Sequence, residues 1–232
     1  MIQNEETRRK INLNYDTEPS ESHFVNLKLS KAYIRNKKVL DIGCWTGIYE
    51  VLAKKYTKSL SAIDPNEQAI EYAKKHISGV YFSVGTAENM TFPLCSFDVI
   101  TLFDVLEHIP EQNVEDAIRK INAILKKDGY LIISTPYASF FSILLDPAYF
   151  MLKHRHYSQE QLTEILNNCG FQIKQSQTKG GLVRLLWVNV ELVFKHIFKI
   201  KIFTPKFIKK IIESEYRSKG MASIYVIAQK IS

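Results

Sequence analysis

Short apolar runs alternate with amphipathic stretches along the first 136 residues. VLDIG (39–43) precedes GIYEVLAKKY, SLSAID (59–64) precedes NEQAIEYAKKH, VYFSV (80–84) follows, and FDVITLF (97–103) leads through VEDAIRKINAILKK to YLIISTP (130–136). Apolar runs of this length read as strands buried on both faces, and the segments between them carry a helical period. Strands separated by helices build a parallel α/β sheet, whose ligands sit outside the carboxyl ends of the strands. Asn66, behind Pro65, reads as a helix N-cap. Lys126-Lys127-Asp128-Gly129 reads as the end of the fourth helix, with cations in the last turn and glycine at the stop.

Beyond residue 157, SQEQLTEILNNCGFQIKQSQT predicts a helix capped by Ser158, with Gln161 three positions on, closed at Gly170 and followed by a strand. MASIYVIAQK (221–230) predicts the last strand. Between them, LVRLLWVNVELVFKHIFKIKIF (182–203) is almost continuously apolar. Taken as one helix at about 100° per residue, it gathers Arg184, Glu191, Lys195 and Lys199 into a stripe about 80° wide. Those charges argue against a spanning helix, since each costs about 2.5–3.5 kcal/mol at the bilayer centre. The chain thus divides into an N-terminal arm and helix (1–37), a core (38–180), a basic apolar helical insert (181–220), and a last strand of the core sheet (221–232).

Composition changes this picture in two places. Cys44, Cys95 and Cys169 are scattered with no CxxC pair, which excludes a disulfide framework and a structural zinc site and implies a reducing, cytoplasmic setting. The segment MIQNEETRRKINLN has no apolar h-region and reads as a polar arm or lid, not a secretory signal. The net charge of +7 is local: residues 181–220 hold nine Lys/Arg and three Asp/Glu, while residues 1–180 hold 21 of each. Such confinement describes an attachment surface and argues against nucleic acid as a partner. Lys206, Lys209, Lys210, Arg217 and Lys219 suit an anionic membrane surface, at about 1 kcal/mol each. A lid over an acceptor pocket, or a homodimer interface, accounts for the same apolar residues. Both readings stay open, and with the second apolar stretch FFSILLDPAYFML (140–152) both point to an apolar or lipid-linked acceptor.

The chemistry gathers at the bend VLDIGCWTG. Asp41 ends a strand, Gly43 and Gly47 permit positive φ, and backbone N–H groups face the same mouth. An ordinary strand-to-helix turn capped by Asp41 explains this much equally well. Asp64 narrows the choice, because it ends the next strand, where a carboxylate takes both hydroxyls of a ribose. A carboxylate at Asp41 would repel a pyrophosphate, so the ligand at the bend should be cationic.

Together VLDIGCWTG, AIDPN, GTAENMTFP, FDVITLFDVLEHI, LKKDGYLIISTP and HRHYSQEQLTEILNNCGF resemble the class I S-adenosylmethionine-dependent methyltransferases. The subgroup is that of the ubiquinone-biosynthesis O-methyltransferases and glycan methyltransferases. The resemblance implies a Rossmann-like, seven-stranded, mostly parallel sheet with helices on both faces and S-adenosyl-L-methionine as cofactor. It places Asp41, Gly43 and Gly47 at the methionine part, Asp64 at the ribose, Ala87 at the adenine and the carbonyl of Phe103 at the amino group, with Pro65 and Met90 on the adenine face. Two departures stand out. Trp45 replaces the middle glycine, with its indole expected to point away from the bend, onto the arm or over the cofactor. Thr86 stands where an Asp commonly meets the adenine amino group, with Glu88 as its substitute.

Methyl transfer to a hydroxyl benefits from a general base, most often His. His108 and His154 are the candidates, with His156 lining the acceptor site and His23 on the arm; capping or structural roles compete for each. Asp104 and Glu107 show no ligand spacing with His108, so no metal is expected. The expected activity is O-methylation of an apolar or lipid-linked acceptor, a quinone precursor or a saccharide, in the cytoplasm or at the inner face of the membrane. Its rivals are carbon or nitrogen methylation of a soluble metabolite and a non-catalytic binding module.

Overall fold

The structure is a computed structural model that describes residues 19–146, 149, 154–196, 198–200 and 202–231. The arm read from residues 1–18 and most of the second half of FFSILLDPAYFML lie outside these. Seven strands form one sheet in the order β3-β2-β1-β4-β5-β7-β6. They are β1 (Lys38–Ile42), β2 (Ser59–Asp64), β3 (Tyr81–Val84), β4 (Phe97–Phe103), β5 (Leu125–Pro136), β6 (Phe171–Lys179) and β7 (Ser223–Lys230). The first five are parallel, and β7 inserts antiparallel between β5 and β6.

Strand alternation sorts the helices onto two faces. Val39, Val99, Ile132 and Ile227 pack with Ile34 of α1 (Glu21–Ile34) and Tyr49 and Ala53 of α2 (Ile48–Ala53). Their neighbours Leu40, Ile100, Leu131 and Val226 point the other way, onto Ile118 and Ile121 of α4 (Val114–Ile124) and Leu162 and Leu166 of α6 (Gln159–Asn168). Burial on both sides is why these strands read as unbroken apolar runs. The helix α3 (Glu67–His76) packs Ile70 and Ala73 on Ala62 and Phe82.

The predicted caps are present. Asn66 Oδ1 accepts from Ala69 N–H at 2.9 Å, Ser158 and Gln161 close a capping box, and Gly170 follows α6 at φ 80°. One boundary is corrected. The helix α4 stops at Ile124, and Lys126–Gly129 belong to β5 because Lys126 pairs with Asp98 on the neighbouring strand at 2.7 Å.

The insert is also corrected. Residues 182–203 are not one helix: α7 spans Leu182–His196, and a second helix, α8, spans Lys206–Arg217. The carboxylate of Glu215 accepts from the backbone N–H groups of Gly181, Val183 and Arg184 at 2.9–3.2 Å, so α8 caps the start of α7. Trp187 Nε1 donates to Glu191 and Thr204, which ties the intervening loop to α7. Arg184, Asn189 and Glu191 of α7 are half-buried toward the protein, whereas Leu182, Leu186, Val190 and Val193 form an exposed stripe.

Candidate functional site

The strand order reverses between β1 and β4, and the crevice outside their carboxyl ends is where such sheets bind ligands. On the β1–β2 side, the bend holds Gly43 at φ 86° and Gly47 at φ 83°. A Cβ on Gly43 would lie 2.1 Å from Val105 Cγ2, and one on Gly47 would lie 2.5 Å from Ile77 Cδ1. The glycines thus admit the chain's own neighbours as well as the left-handed turn. Trp45 takes the same left-handed region at φ 48° with its side chain exposed, so the bend accommodates it without burying the indole.

Three carboxyls line this side. Asp41 is buried, accepts a hydrogen bond from Thr101 Oγ1, and shares one with Glu50 of α2. Burial is the main cause that pushes Asp41 up to about 6. Burial, then the Asp41 charge, push Glu50 well above the ordinary glutamate range, so of the two carboxyls Glu50 is the one whose protonated form the site favours more. The Asp41 carboxyl is the side-chain hydrogen-bond partner of Glu50, and the backbone N–H of Glu50 itself pulls its carboxyl back down. Asp64 is raised by burial against the pull of the Asn66 and Trp45 N–H groups, which donate at 2.8 and 2.9 Å. Clustered buried acids of this kind fit a cationic group such as a sulfonium or an ammonium.

The remaining cofactor candidates follow β2, β3 and β4. Pro65 is exposed beside Asp64, Ala87 is buried, and Phe103 ends β4 with its ring against Tyr49 at 4.9 Å. Thr86 Oγ1 accepts from the Glu88 and Asn89 N–H groups at 3.2 Å, so both its lone pairs hold the local turn. The half-buried Glu88 stands beside it. Met90 packs against the main core. His23 takes a capping role: its Nδ1 accepts from Ser20 N–H at 3.2 Å and closes the capping box of α1.

On the β4–β5 side the chain assembles a second polar cluster. Asp104 follows β4 at φ 55° and accepts from Ser134 Oγ at 3.0 Å. Its residue surface is open, yet the protein around its carboxyl raises it by desolvation, against the Ser134 hydrogen bond and the charge of Arg184. Glu107 is buried, accepts from Thr135 Oγ1 at 3.0 Å, and is raised well above the glutamate range by burial. His154 Nε2 lies 3.7 Å from Glu107 Oε1, and the His108 and His154 ring centres are 4.9 Å apart. Both predicted bases therefore stand together. Arg155 donates to the carbonyls of Leu106 and Ile109 and fastens the His154 segment to the turn that carries Glu107 and His108.

Sequence spacing missed two members. Asp146, the lone acid in FFSILLDPAYFML, accepts from His154 and His156, and Arg184 of α7 reaches toward Asp104 and Tyr216. An acid inside an apolar run was the signal for the first. The ground for expecting no metal is also revised. The fold brings Glu107, His108 and His154, and separately Asp146, His154 and His156, close enough that their ligand atoms lie within 4.8 Å of one another.

A Rossmann-like sheet with an acidic, cation-suited crevice at its switch point defines an S-adenosylmethionine-dependent methyltransferase domain. The chain belongs to the methyltransferase domain family, whose model matches residues 21–176. It is 35% identical over 106 residues to the mitochondrial ubiquinone biosynthesis O-methyltransferase of Schizosaccharomyces pombe, covering 43% of this chain and 38% of that protein. A ubiquinone biosynthesis O-methyltransferase of Actinobacillus pleuropneumoniae is 28% identical over 187 residues, covering 71% of this chain and 79% of its own length. The structure of Bacillus subtilis YcgJ superposes with a TM-score of 0.63 over 91% of this chain and 99% of that one, at 21% identity. The chain thus spans about two fifths of the first of these relatives and most of the second.

Proposed function

We propose that the protein transfers the methyl group of S-adenosylmethionine to a hydroxyl oxygen of an apolar or lipid-linked acceptor, a quinone precursor or a saccharide, at an anionic membrane surface facing the cytoplasm. The observation that carries this is the position of α7. Its outward face is the apolar stripe Leu182, Leu186, Val190 and Val193, while its inward Arg184 acts on Asp104 within the acid and imidazole cluster. A greasy entrance thus adjoins the groups able to take a proton. Asp41, Gly43, Gly47 and Asp64 hold the methionine and ribose parts of the cofactor, Pro65, Ala87 and Glu88 hold the adenine, and the Phe103 carbonyl takes the amino group. Thr86 supports that end by shaping the turn.

Exposed Phe198, Ile200, Phe203, Phe207 and Ile211 extend the apolar surface, with exposed Lys206, Lys209 and Lys210 beside it. No helix among the described residues is long and apolar enough to cross a membrane. An interfacial mode is the one such a surface supports. The names of the two curated relatives favour a quinone precursor over a saccharide.

The test is transfer of a labelled methyl group to a polyprenylated catechol, a polyprenyl-linked saccharide and a soluble catechol, each with and without anionic vesicles. Label on oxygen of a polyprenylated acceptor, raised by vesicles, is the expected result. Label on carbon or nitrogen, or a preference for the soluble catechol, would overturn the assignment.

A further inference from the structure

Asp146 follows the short helix α5 (Phe140–Leu144) and points a single carboxylate oxygen at two imidazoles. Its Oδ2 lies 2.9 Å from His154 Nδ1 and 2.9 Å from His156 Nε2. An ionised carboxylate only accepts hydrogen bonds, so each facing nitrogen carries a proton. In His154 this fixes the Nδ1–H tautomer and leaves the lone pair on Nε2. His156 is nearly inaccessible, and with Nε2 protonated its Nδ1 accepts from Ser142 Oγ at 3.2 Å, which holds that ring from behind. Asp146 is therefore anchored by a buried ring and in turn orients a partly accessible one.

We infer that Asp146 is a positioning residue that sets His154 as the proton acceptor of the transfer reaction, with His156 as its anchor. This rests on the proposed transfer to a hydroxyl. As the acceptor oxygen forms its bond to the methyl carbon, its proton passes to His154 Nε2, and the electron pair of the broken carbon–sulfur bond stays on sulfur. The imidazolium so formed lies between Asp146, which accepts from Nδ1–H, and Glu107, whose Oε1 is 3.7 Å from Nε2. That separation is too long for a hydrogen bond in the resting state. The approach becomes favourable when Nε2 gains its proton. Arg155, fastened to the Leu106 and Ile109 carbonyls, keeps the ring against that turn.

The role predicts a spectroscopic signature that needs no acceptor. In ¹⁵N-histidine NMR of the unsubstituted, chelator-treated protein at alkaline pH, His154, assigned by loss of its signals in His154→Gln, is expected as the Nδ1–H tautomer. Asp146→Asn, whose amide can donate to Nδ1, should shift the ring to Nε2–H. It should also lower kcat about 100-fold or more, the scale of general-base catalysis, with the KM for the cofactor within about twofold. Asp146→Glu should recover part of kcat. An Nε2–H tautomer in the unsubstituted protein overturns the inference, as does an Asp146→Asn variant that keeps full kcat. A correct tautomer in a protein that methylates no hydroxyl would instead break the proposed function and leave the orientation by Asp146 standing.

Discussion

The two sides of the crevice are built in different ways. On the β1–β3 side, the acids Asp41 and Asp64 end adjacent strands, Glu50 sits on the helix between them, and the turns are set by backbone geometry. On the β4–β5 side, Asp104 and Glu107, then Asp146, His154 and Arg184, arrive from separate segments and are held by side-chain hydrogen bonds and charge. The first side is written in one continuous stretch and is stiff. The second is a tertiary assembly, whose members can change one at a time without disturbing the sheet. A scaffold that fixes the cofactor and leaves the acceptor wall free suits a fold that serves many acceptors.

The stiffness of the first side gives the largest expected effect. Gly43→Ala places a methyl group 2.1 Å from Val105 Cγ2 and forces an L side chain to φ 86°. Left-handed strain and overpacking each cost about 1–3 kcal/mol, so the variant should lose about 2–6 kcal/mol of stability in urea unfolding. A loss under about 1 kcal/mol would mean that the bend yields easily and that the contrast between the two sides is false.

The buried acids should show a cost of their own in the cofactor-free protein. Asp41 moves from its ordinary 3.8 to about 6 on folding, so the native state holds a proton that the unfolded chain releases. The stability this gives is fully present below about pH 4 and is lost as pH rises through about 6. Asp41→Asn removes the dependence. Relative to the parent, the variant should gain about 3 kcal/mol between pH 4 and pH 7, at about 1.4 kcal/mol per pH unit, while cofactor affinity falls. Glu50→Gln should act in the same direction, because burial raises Glu50 well above its ordinary range and its protonated form is what Gln imitates. Parallel stability curves for parent and Asp41→Asn would show that Asp41 is not strained by burial.

Legibility followed the same division. The seven strands and the caps at Asn66 and Ser158 stood in the sequence because two-sided burial makes apolar runs and because caps act within four residues. The acids of the cofactor side stood there too, since strand ends carry fixed spacing. Glu50 did not: a Glu in a short helix reads as a solvated face, and only the structure turns it onto Asp41. Asp146 was hidden because its partners are eight and ten residues away, at separations no helix or strand period links. The break in 182–203 was hidden because an apolar run carries no stop signal of its own. Beyond α7 it is Thr204 that Trp187 and Glu191 hold, through contacts between side chains.

The outward stripe of α7 is where the comparison predicts the smallest change in stability and a complete change in behaviour. Leu186 and Val190 are 47% and 37% exposed, so Leu186→Gln with Val190→Gln removes little buried area. Unfolding free energy should stay within about 0.5 kcal/mol of the parent. Vesicle flotation should behave otherwise. The parent should float with anionic vesicles and be released by high salt, because its cations contribute about 1 kcal/mol each near a charged surface. The double variant should stay behind at every salt concentration, because the apolar contact has gone. If the variant floats as the parent does, the stripe is not the contact surface and the membrane part of the proposal fails. If it instead unfolds more easily by several kcal/mol, the stripe is packed in solution, and α7 belongs to the structural half of the molecule after all.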